Sequence, residues 1–225
     1  MSNFELLEGS KSPHFLKEYI IYMSSKNNEF PLNGLLLFTG SQGSGKTYKA
    51  VEYVYNIKKK YPQCSIVSNL NLEFQDYEFK NQDDLHSYSN YGTVILIDEI
   101  QIYFNSLSSK NIDPVVMAQI AQQRKQHIHI VATTQVFGRL AKQFREQFNQ
   151  VVYCSKFFGL NCIGKIQLID RYSMDGENST DTNLSGKVLY QNIFFRNPEI
   201  FDMYDTYKII DIADRKGGVF NGYDE

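Results

Sequence analysis

The chain has 225 residues, 42% of them hydrophobic, and a formal net charge of −2 at neutral pH. That length suits one α/β domain with a small appendage, and the apolar share is ample for its core. The near-zero charge excludes a chain coated in basic residues, so any contact with nucleic acid needs a local patch or a face assembled from several subunits.

Residues 1–33 read as a preface to the core. Met1-Ser2-Asn3-Phe4-Glu5 lacks the basic flank and apolar run of a signal peptide. Pro13 to Ser25 predicts a helix, with Phe15, Leu16, Tyr19, Ile20 and Met23 at helical spacing. Asn27-Asn28 and Pro31-Leu32-Asn33-Gly34 punctuate its end. Leu35-Leu36-Leu37-Phe38 then reads as a buried strand and Thr47 to Val54 as a helix. Between them lies Gly40-Ser41-Gln42-Gly43-Ser44-Gly45-Lys46-Thr47, a complete G-x-x-x-x-G-K-[ST] phosphate loop. The strand before it and the helix after it turn a pattern into a mechanism. Gly40, Gly43 and Gly45 let the backbone curl until successive N–H groups point inward, at the mouth of a helix whose N-terminus favours anions. Ser41, Gln42 and Ser44 complete the cradle, and Tyr48 directly after it is expected among the nucleotide-binding residues. Lys46 is expected to reach the β- and γ-phosphates and the Thr47 hydroxyl to hold Mg²⁺. The ligand expected is ATP with Mg²⁺.

Ser65-Ile66-Val67-Ser68-Asn69 predicts a second strand, and a short helix is placed near Asp83–Tyr88. Thr93-Val94-Ile95-Leu96-Ile97 is a continuous β-branched run, as in strands buried on both faces of a parallel sheet. Asp113-Pro114 reads as an N-cap followed by proline at the first helical position, with the helix running to about Gln126. Ile128–Ala132 predicts a strand, Gly138–Phe148 a helix and Val151–Cys154 a further strand. Strands alternating with helices imply an α/β fold with a mainly parallel, doubly wound sheet. Beyond residue 160 the character changes. Ile163–Arg171 and Lys187–Phe195 suggest two strands joined by the polar stretch 175–181. The expected organisation is an N-terminal helical segment (1–33), a P-loop core (34–159), and a small C-terminal β appendage with its terminal segment (160–225) closing the same domain. Cys64, Cys154 and Cys162 lack metal-ligand spacing and read as reduced cysteines of a cytosolic protein. No stretch approaches the ~20 apolar residues of a membrane span.

Asp98-Glu99 follows the strand 93–97 directly, at the end where ligands of open α/β sheets bind. Asp98 there can orient Mg²⁺, and Glu99 can polarise the attacking water. A loop-capping role for Glu99 is the plainer alternative. Thr133-Thr134-Gln135 ends the next strand, where Gln135 can sit between the γ-phosphate and the water; the threonines read equally as groups satisfying a turn. Arg124 lies near the end of the helix before strand 128–132. It could stabilise charge on a neighbouring subunit's phosphate, bind DNA phosphate, or lie on a solvated face. Arg139, Lys142 and Arg145 recur at i, i+3, i+6 as one basic stripe of the helix 138–148, with a solvated face as the simplest reading. Lys58-Lys59-Lys60 complements a helix C-terminus. His127 and His129 flank one residue at the start of a strand, without the carboxylate or cysteine partners a metal requires.

Together these residues resemble the Zot-like family (zonula occludens toxin and the filamentous-phage assembly ATPase) within the FtsK–HerA group of P-loop ATPases, akin to small viral genome-packaging ATPases. The resemblance is carried by Gly40–Thr47, Val67-Ser68-Asn69-Leu70, Ile95-Leu96-Ile97-Asp98-Glu99-Ile100-Gln101, Gln123-Arg124-Lys125 ahead of Ile130-Val131-Ala132-Thr133-Thr134-Gln135, and Ile200-Phe201-Asp202-Met203-Tyr204-Asp205-Thr206. It covers roughly residues 34–206. It implies a RecA/FtsK–HerA-like core working as a ring, a hexamer, with Arg124 or a neighbour acting between subunits. It implies DNA as the partner, with a capsid or membrane protein beside it, and a place in the host cytoplasm or on the virion. Two departures stand out. Filamentous-phage members carry a membrane span after the ATPase domain, which this sequence does not predict, and Lys125 stands where the family often has histidine.

The leading expectation is an ATP-hydrolysing viral or mobile-element motor that moves DNA for packaging or extrusion. A replication helicase or helicase loader shares the same site. A non-hydrolysing ATP-binding virion scaffold is the non-enzymatic alternative. A small-molecule kinase fits less well, because Asp98-Glu99 presents a base for water and no arginine-rich lid is evident.

Overall fold

Apolar runs without alternation require a sheet covered on both faces, and the chain builds one. The computed structural model describes residues 30–104, 114–123, 125–148, 150–170 and 186–205. The predicted helix at 13–25 and the polar stretch 175–181 lie outside the described residues. Strands β1 (Gly34–Thr39), β2 (Ser65–Ser68), β3 (Tyr77–Glu78), β4 (Thr93–Ile97), β5 (Ile128–Thr134), β6 (Gln150–Phe157), β7 (Leu160–Ile169) and β8 (Val188–Phe195) form one sheet in the order β3-β2-β4-β5-β1-β6-β7-β8. Pairings from β3 to β6 are parallel. β7 and β8 add on antiparallel, so the predicted C-terminal strands extend the same sheet.

Successive residues of each central strand serve opposite faces, as the two-residue period demands. Leu36, Phe38, Val94, Leu96 and Val131 pack with Tyr53, Val54 and Ile57 of helix α1 (Lys46–Lys60). Leu35, Leu37, Ile95, Ile97 and Ile130 pack with Phe104, Leu140, Phe144, Phe148 and Ile120, the last from helix α2 (Pro114–Gln122). Register fixes the edge that matters. Thr39 lies beside Thr134, and Ile97 beside Ala132, so the loops after β1, β4 and β5 leave the sheet together.

His129 is fully buried and belongs to this core. Its Nδ1 lies 3.1 Å from the Gly34 carbonyl, which can only accept, so Nδ1 carries the proton. Nε2 then accepts from the Tyr53 hydroxyl at 3.0 Å. Burial lowers the His129 pKa to about 4 and keeps the ring neutral. His127 precedes the strand at a φ of 52°, so the two imidazoles do not share a strand face.

Three predicted elements differ. The helix expected at 138–148 is a 3₁₀ turn (Phe137–Arg139) followed by the one-turn helix α3 (Lys142–Arg145). Leu140 and Ala141 turn extended between them, with ψ of 143° and 135°. That break lets the Ala141 N–H donate to the Phe104 carbonyl at 3.1 Å and stacks Phe144 on Phe104 at 4.2 Å. Core packing therefore overrides the helical period. The basic stripe dissolves with it: Arg139 and Lys142 are exposed on separate turns, and Arg145 lies 5.7 Å over the Phe137 ring. The helix placed at 83–88 is a 3₁₀ turn, Gln82–Asp84, closed by a reciprocal cap between Asn81 and Asp84. Helix α2 ends at Gln122 rather than Gln126.

Lys58, Lys59 and Lys60 do occupy the last turn of α1. Lys58 additionally donates to the Cys64 carbonyl at 2.8 Å and pairs with Asp76 at 3.0 Å, which ties the turn into β2. Among the described residues no helix is long and apolar enough to cross a membrane.

Candidate nucleotide site

The phosphate loop leaves β1 and enters α1 with Gly40, Gly43 and Gly45 at φ of 149°, 73° and 91°. Residues with a Cβ rarely adopt such angles. Gly40 is constrained twice, because a Cβ there would lie 2.2 Å from the Cys154 carbonyl oxygen on β6. The loop closes through Ser44 N–H to the Ser41 carbonyl at 3.1 Å, and α1 begins with Lys49 N–H to the Gly45 carbonyl at 2.9 Å. Ser41, Gln42 and Gly43 are exposed, whereas Ser44 is buried with a hydroxyl that has no partner among the described residues.

Tyr48, expected among the nucleotide-binding residues, has its ring in the core instead. It stacks on Phe194 of β8 at 5.9 Å and packs on Phe201 at 5.0 Å, and its hydroxyl accepts from Asn197 N–H at 2.7 Å. Asn197 caps helix α4 (Pro198–Asp202), so Tyr48 fastens the C-terminal strands onto α1. Lys49 is buried beside it, paired with Glu52 and 5.0 Å from the centre of the Phe194 ring.

Lys46 is 6% exposed, and its Nζ stands 3.4 Å from Glu99 Oε1. Thr47 donates its hydroxyl proton to Asp98 Oδ1 at 2.9 Å, and Thr133 donates to the same oxygen at 2.6 Å. Burial raises the Asp98 pKa, against the pull of the Thr133 and Thr47 hydroxyls and Lys46; the adjacent Glu99 charge adds to the rise. Backbone geometry is set by Asn69, which immediately follows β2. Its Oδ1 accepts from Asp98 N–H at 2.9 Å and its Nδ2 donates to the Asp98 carbonyl at 3.0 Å.

Glu99 sits in the left-handed region, φ 51° and ψ 52°, an uncommon conformation for a non-glycine residue. Thr133 holds it there, accepting from Glu99 N–H at 2.9 Å. Gln135 Nε2 donates to Glu99 Oε1 at 3.0 Å, and Gln101 Nε2 donates to Glu99 Oε2. Gln101 is itself held by the Thr134 hydroxyl at 2.7 Å. Lys46, Thr47, Asp98, Glu99 and Gln135 thus converge from three loops. Arg124 lies outside the described residues.

Asn69, Gln101 and Thr133 carry more of the site than their sequence positions suggested. The polar dipeptide Thr133-Thr134 at a strand's end is a visible signal, whereas Asn69 and Gln101 show only within the motifs that carry the family resemblance. Asp98 and Thr47 offer a carboxylate and a hydroxyl, hard oxygen donors suited to a divalent cation that also binds phosphate oxygens. Among the described residues no group of three or more histidines, cysteines and carboxylates could hold a metal alone. The cysteines are free thiols, Cys64 and Cys154 buried and Cys162 exposed. Burial pushes the Cys154 thiol up to about 12, although Lys49, Lys46 and Arg196 pull the other way.

The sequence pattern that defines the zonular occludens toxin (Zot) family matches residues 78–208, over half of the chain and beginning after the phosphate loop. The chain belongs to the Zot family. By family, fold and phosphate loop it is a P-loop ATPase. The N-terminal domain of zonular occludens toxin from Neisseria meningitidis is similar in structure, with a TM-score of 0.53 at 18% identity over 76% of this chain and 98% of that domain. The DNA-packaging ATPase of Sulfolobus turreted icosahedral virus aligns with a TM-score of 0.49 at 15% identity, over 73% of this chain and 100% of that one. No curated protein sequence matches the chain.

Proposed function

We propose that this Zot-family ATPase hydrolyses ATP as one subunit of a ring that moves DNA during viral or mobile-element particle assembly. The observation that carries hydrolysis is the junction of the two motif halves: Thr47 bonded to Asp98 at 2.9 Å while Glu99 lies 3.4 Å from Lys46 and 3.0 Å from Gln135. Family membership supports the DNA-moving part.

In this reading the inward N–H groups of Gly43 to Thr47 bind the phosphates, and Lys46 neutralises the β- and γ-oxygens. Thr47 and Asp98 would hold Mg²⁺, which supplies positive charge against the phosphates when bound. Glu99 takes the proton from water as the water oxygen attacks the γ-phosphorus, and ADP leaves with the bridging oxygen. Gln135, already bonded to Glu99, orients that water. Arg124 acts on a neighbouring subunit's nucleotide.

Steady-state ATP hydrolysis of wild type, Lys46→Ala and Glu99→Gln, with and without single- and double-stranded DNA, tests the proposal. Turnover stimulated by DNA and lost in both variants is expected. Wild-type turnover absent in every condition overturns it in favour of a scaffold. Strand displacement without directional transport points to a helicase instead. Light scattering that shows only monomer with a non-hydrolysable nucleotide removes the role of Arg124.

A further inference from the structure

Arg196 immediately follows β8 and stands against the phosphate loop of its own chain. Its Nη2 donates to the Gly43 carbonyl at 3.0 Å, and a Cβ on Gly45 would lie 2.8 Å from the same nitrogen. A guanidinium has five N–H donors, and here its Nε is buried with no partner. No carboxylate among the described residues pairs with it. A second cation flanks the same loop, since Lys156 of β6 brings Nζ within 3.5 Å of where a Gly43 Cβ would sit.

A phosphate loop that turns its N–H groups inward turns carbonyls outward, and an outward carbonyl needs a donor. Arg196 is that donor for Gly43. Its backbone is tied on both sides. The next residue, Asn197, donates its N–H to the Tyr48 hydroxyl at 2.7 Å and caps α4, while Phe194, two residues earlier, stacks on Tyr48. Tyr48 follows the loop directly, so the β8–α4 junction and the start of α1 form one unit around Gly43–Thr47.

We propose that Arg196, seconded by Lys156, is a nucleotide-phosphate-binding position acting in cis: it clips the Gly43 carbonyl and brings a positive charge to the polyphosphate of a nucleoside di- or triphosphate. The proposal rests on the nucleotide-binding reading of the same loop, and it gives the C-terminal strands a task in closing the site. It differs from the part assigned to Arg124 in needing no second subunit.

The test is titration of the full chain with fluorescently labelled ATP, ADP and AMP across a salt series. The variants are Arg196→Ala, Arg196→Lys, Lys156→Ala and Lys46→Ala, each checked by thermal melting. A charge-assisted contact gives roughly a tenfold or greater loss of ATP and ADP affinity in Arg196→Ala. The salt dependence of Kd should become shallower, Arg196→Lys should recover part of the loss, and dilution below any assembly threshold should change nothing. Wild-type affinity in Arg196→Ala, with binding lost in Lys46→Ala, overturns the proposal and leaves the loop's own role intact. Equal losses in Arg196→Ala and Arg196→Lys with an unchanged salt slope overturn it too, since they show a brace without a charge. Absence of binding in the wild type overturns both readings together.

Discussion

Replacing Thr133 by valine asks whether one hydroxyl keeps the two candidate carboxylates in register. Valine preserves the branched shape and the strand, so the change is confined to the oxygen. That oxygen donates to Asp98 Oδ1 at 2.6 Å and accepts from Glu99 N–H at 2.9 Å. A hydrogen bond to a charged group contributes roughly 1.5–3 kcal/mol, and an amide left unpaired costs roughly 1–3 kcal/mol when fully buried. Glu99 is partly exposed, so water recovers some of the second quantity. About 2–4 kcal/mol is then lost from folding, which for a chain of this size lowers Tm by roughly 4–16 °C. Activity should suffer differently. The phosphate loop and Lys46 are untouched, so KM for ATP stays near wild type while kcat falls by roughly tenfold or more as Glu99 loses its left-handed anchor. Thr133→Ser keeps the hydroxyl and should retain most of both quantities. The assays are circular-dichroism melting and steady-state ATP hydrolysis. A Thr133→Val protein with wild-type Tm and wild-type kcat would refute the reasoning, because the hydroxyl would then be an ornament of the strand.

Two further outcomes follow from the geometry. Gly40→Ala drives a methyl to 2.2 Å from a backbone oxygen of β6 that cannot step aside, whereas at Gly43 the nearest atoms are the flexible end of Lys156 at 3.4–3.5 Å. Gly43→Ala should therefore cost about 1 kcal/mol for its positive φ alone, and Gly40→Ala upwards of ~3 kcal/mol or the fold itself; equal urea midpoints for the two would contradict this. His129 supplies the pH dependence. The folded ring takes a proton only near pH 4, the unfolded one near 6.5, so the unfolded state binds more protons between these values. Stability is full above pH 6.5 and falls as pH drops toward 4, by up to about 3 kcal/mol from this residue. Urea unfolding at a series of pH values should show the decline, and His129→Gln should flatten it; an unflattened curve assigns the slope to other groups.

What could be read in the sequence was what short-range physics dictates. The runs 35–38, 93–97 and 128–132 had no alternation because both faces of β1, β4 and β5 are covered. Gly40, Gly43 and Gly45 showed as a loop because only glycine takes those φ angles cheaply. The helix predicted at 138–148 fails because, although its apolar residues recur at helical spacing, the chain turns extended at Leu140 and Ala141 as Leu140 and Phe144 enter the core. Asn69 and Gln101 were legible only as members of the family motifs, for another reason. Their partners Asp98, Tyr103 and Thr134 lie 29 to 34 residues away in sequence, and a glutamine beside an acidic pair carries no local signature of its own. Arg196 is the extreme case, 153 residues from the carbonyl it holds.

Asp98 and Glu99 are neighbours in sequence, and in an extended strand their side chains would part to opposite faces. The positive φ at Glu99 prevents this and brings both to the loop mouth. The oxygens of Glu99 are already claimed: Oε1 by Lys46 and Gln135, Oε2 by Gln101. A carboxylate has about four acceptor positions, so these three donors leave room for a water, but each donor lowers its basicity and they differ in how readily they leave. Gln101 is fixed by Thr134 and offers no alternative anion a place. Gln135 follows its strand directly. Lys46 alone sits where a competing anion is expected, since the phosphates bind in its own loop. In the proposed reaction, nucleotide binding therefore does two things with one lysine, neutralising the phosphates and withdrawing a cation from the base. Lys46→Met, which keeps the stem but no charge, would then impair both nucleotide affinity and the positioning of Glu99, and its defect should exceed that of Glu99→Gln in ATP binding while matching it in turnover.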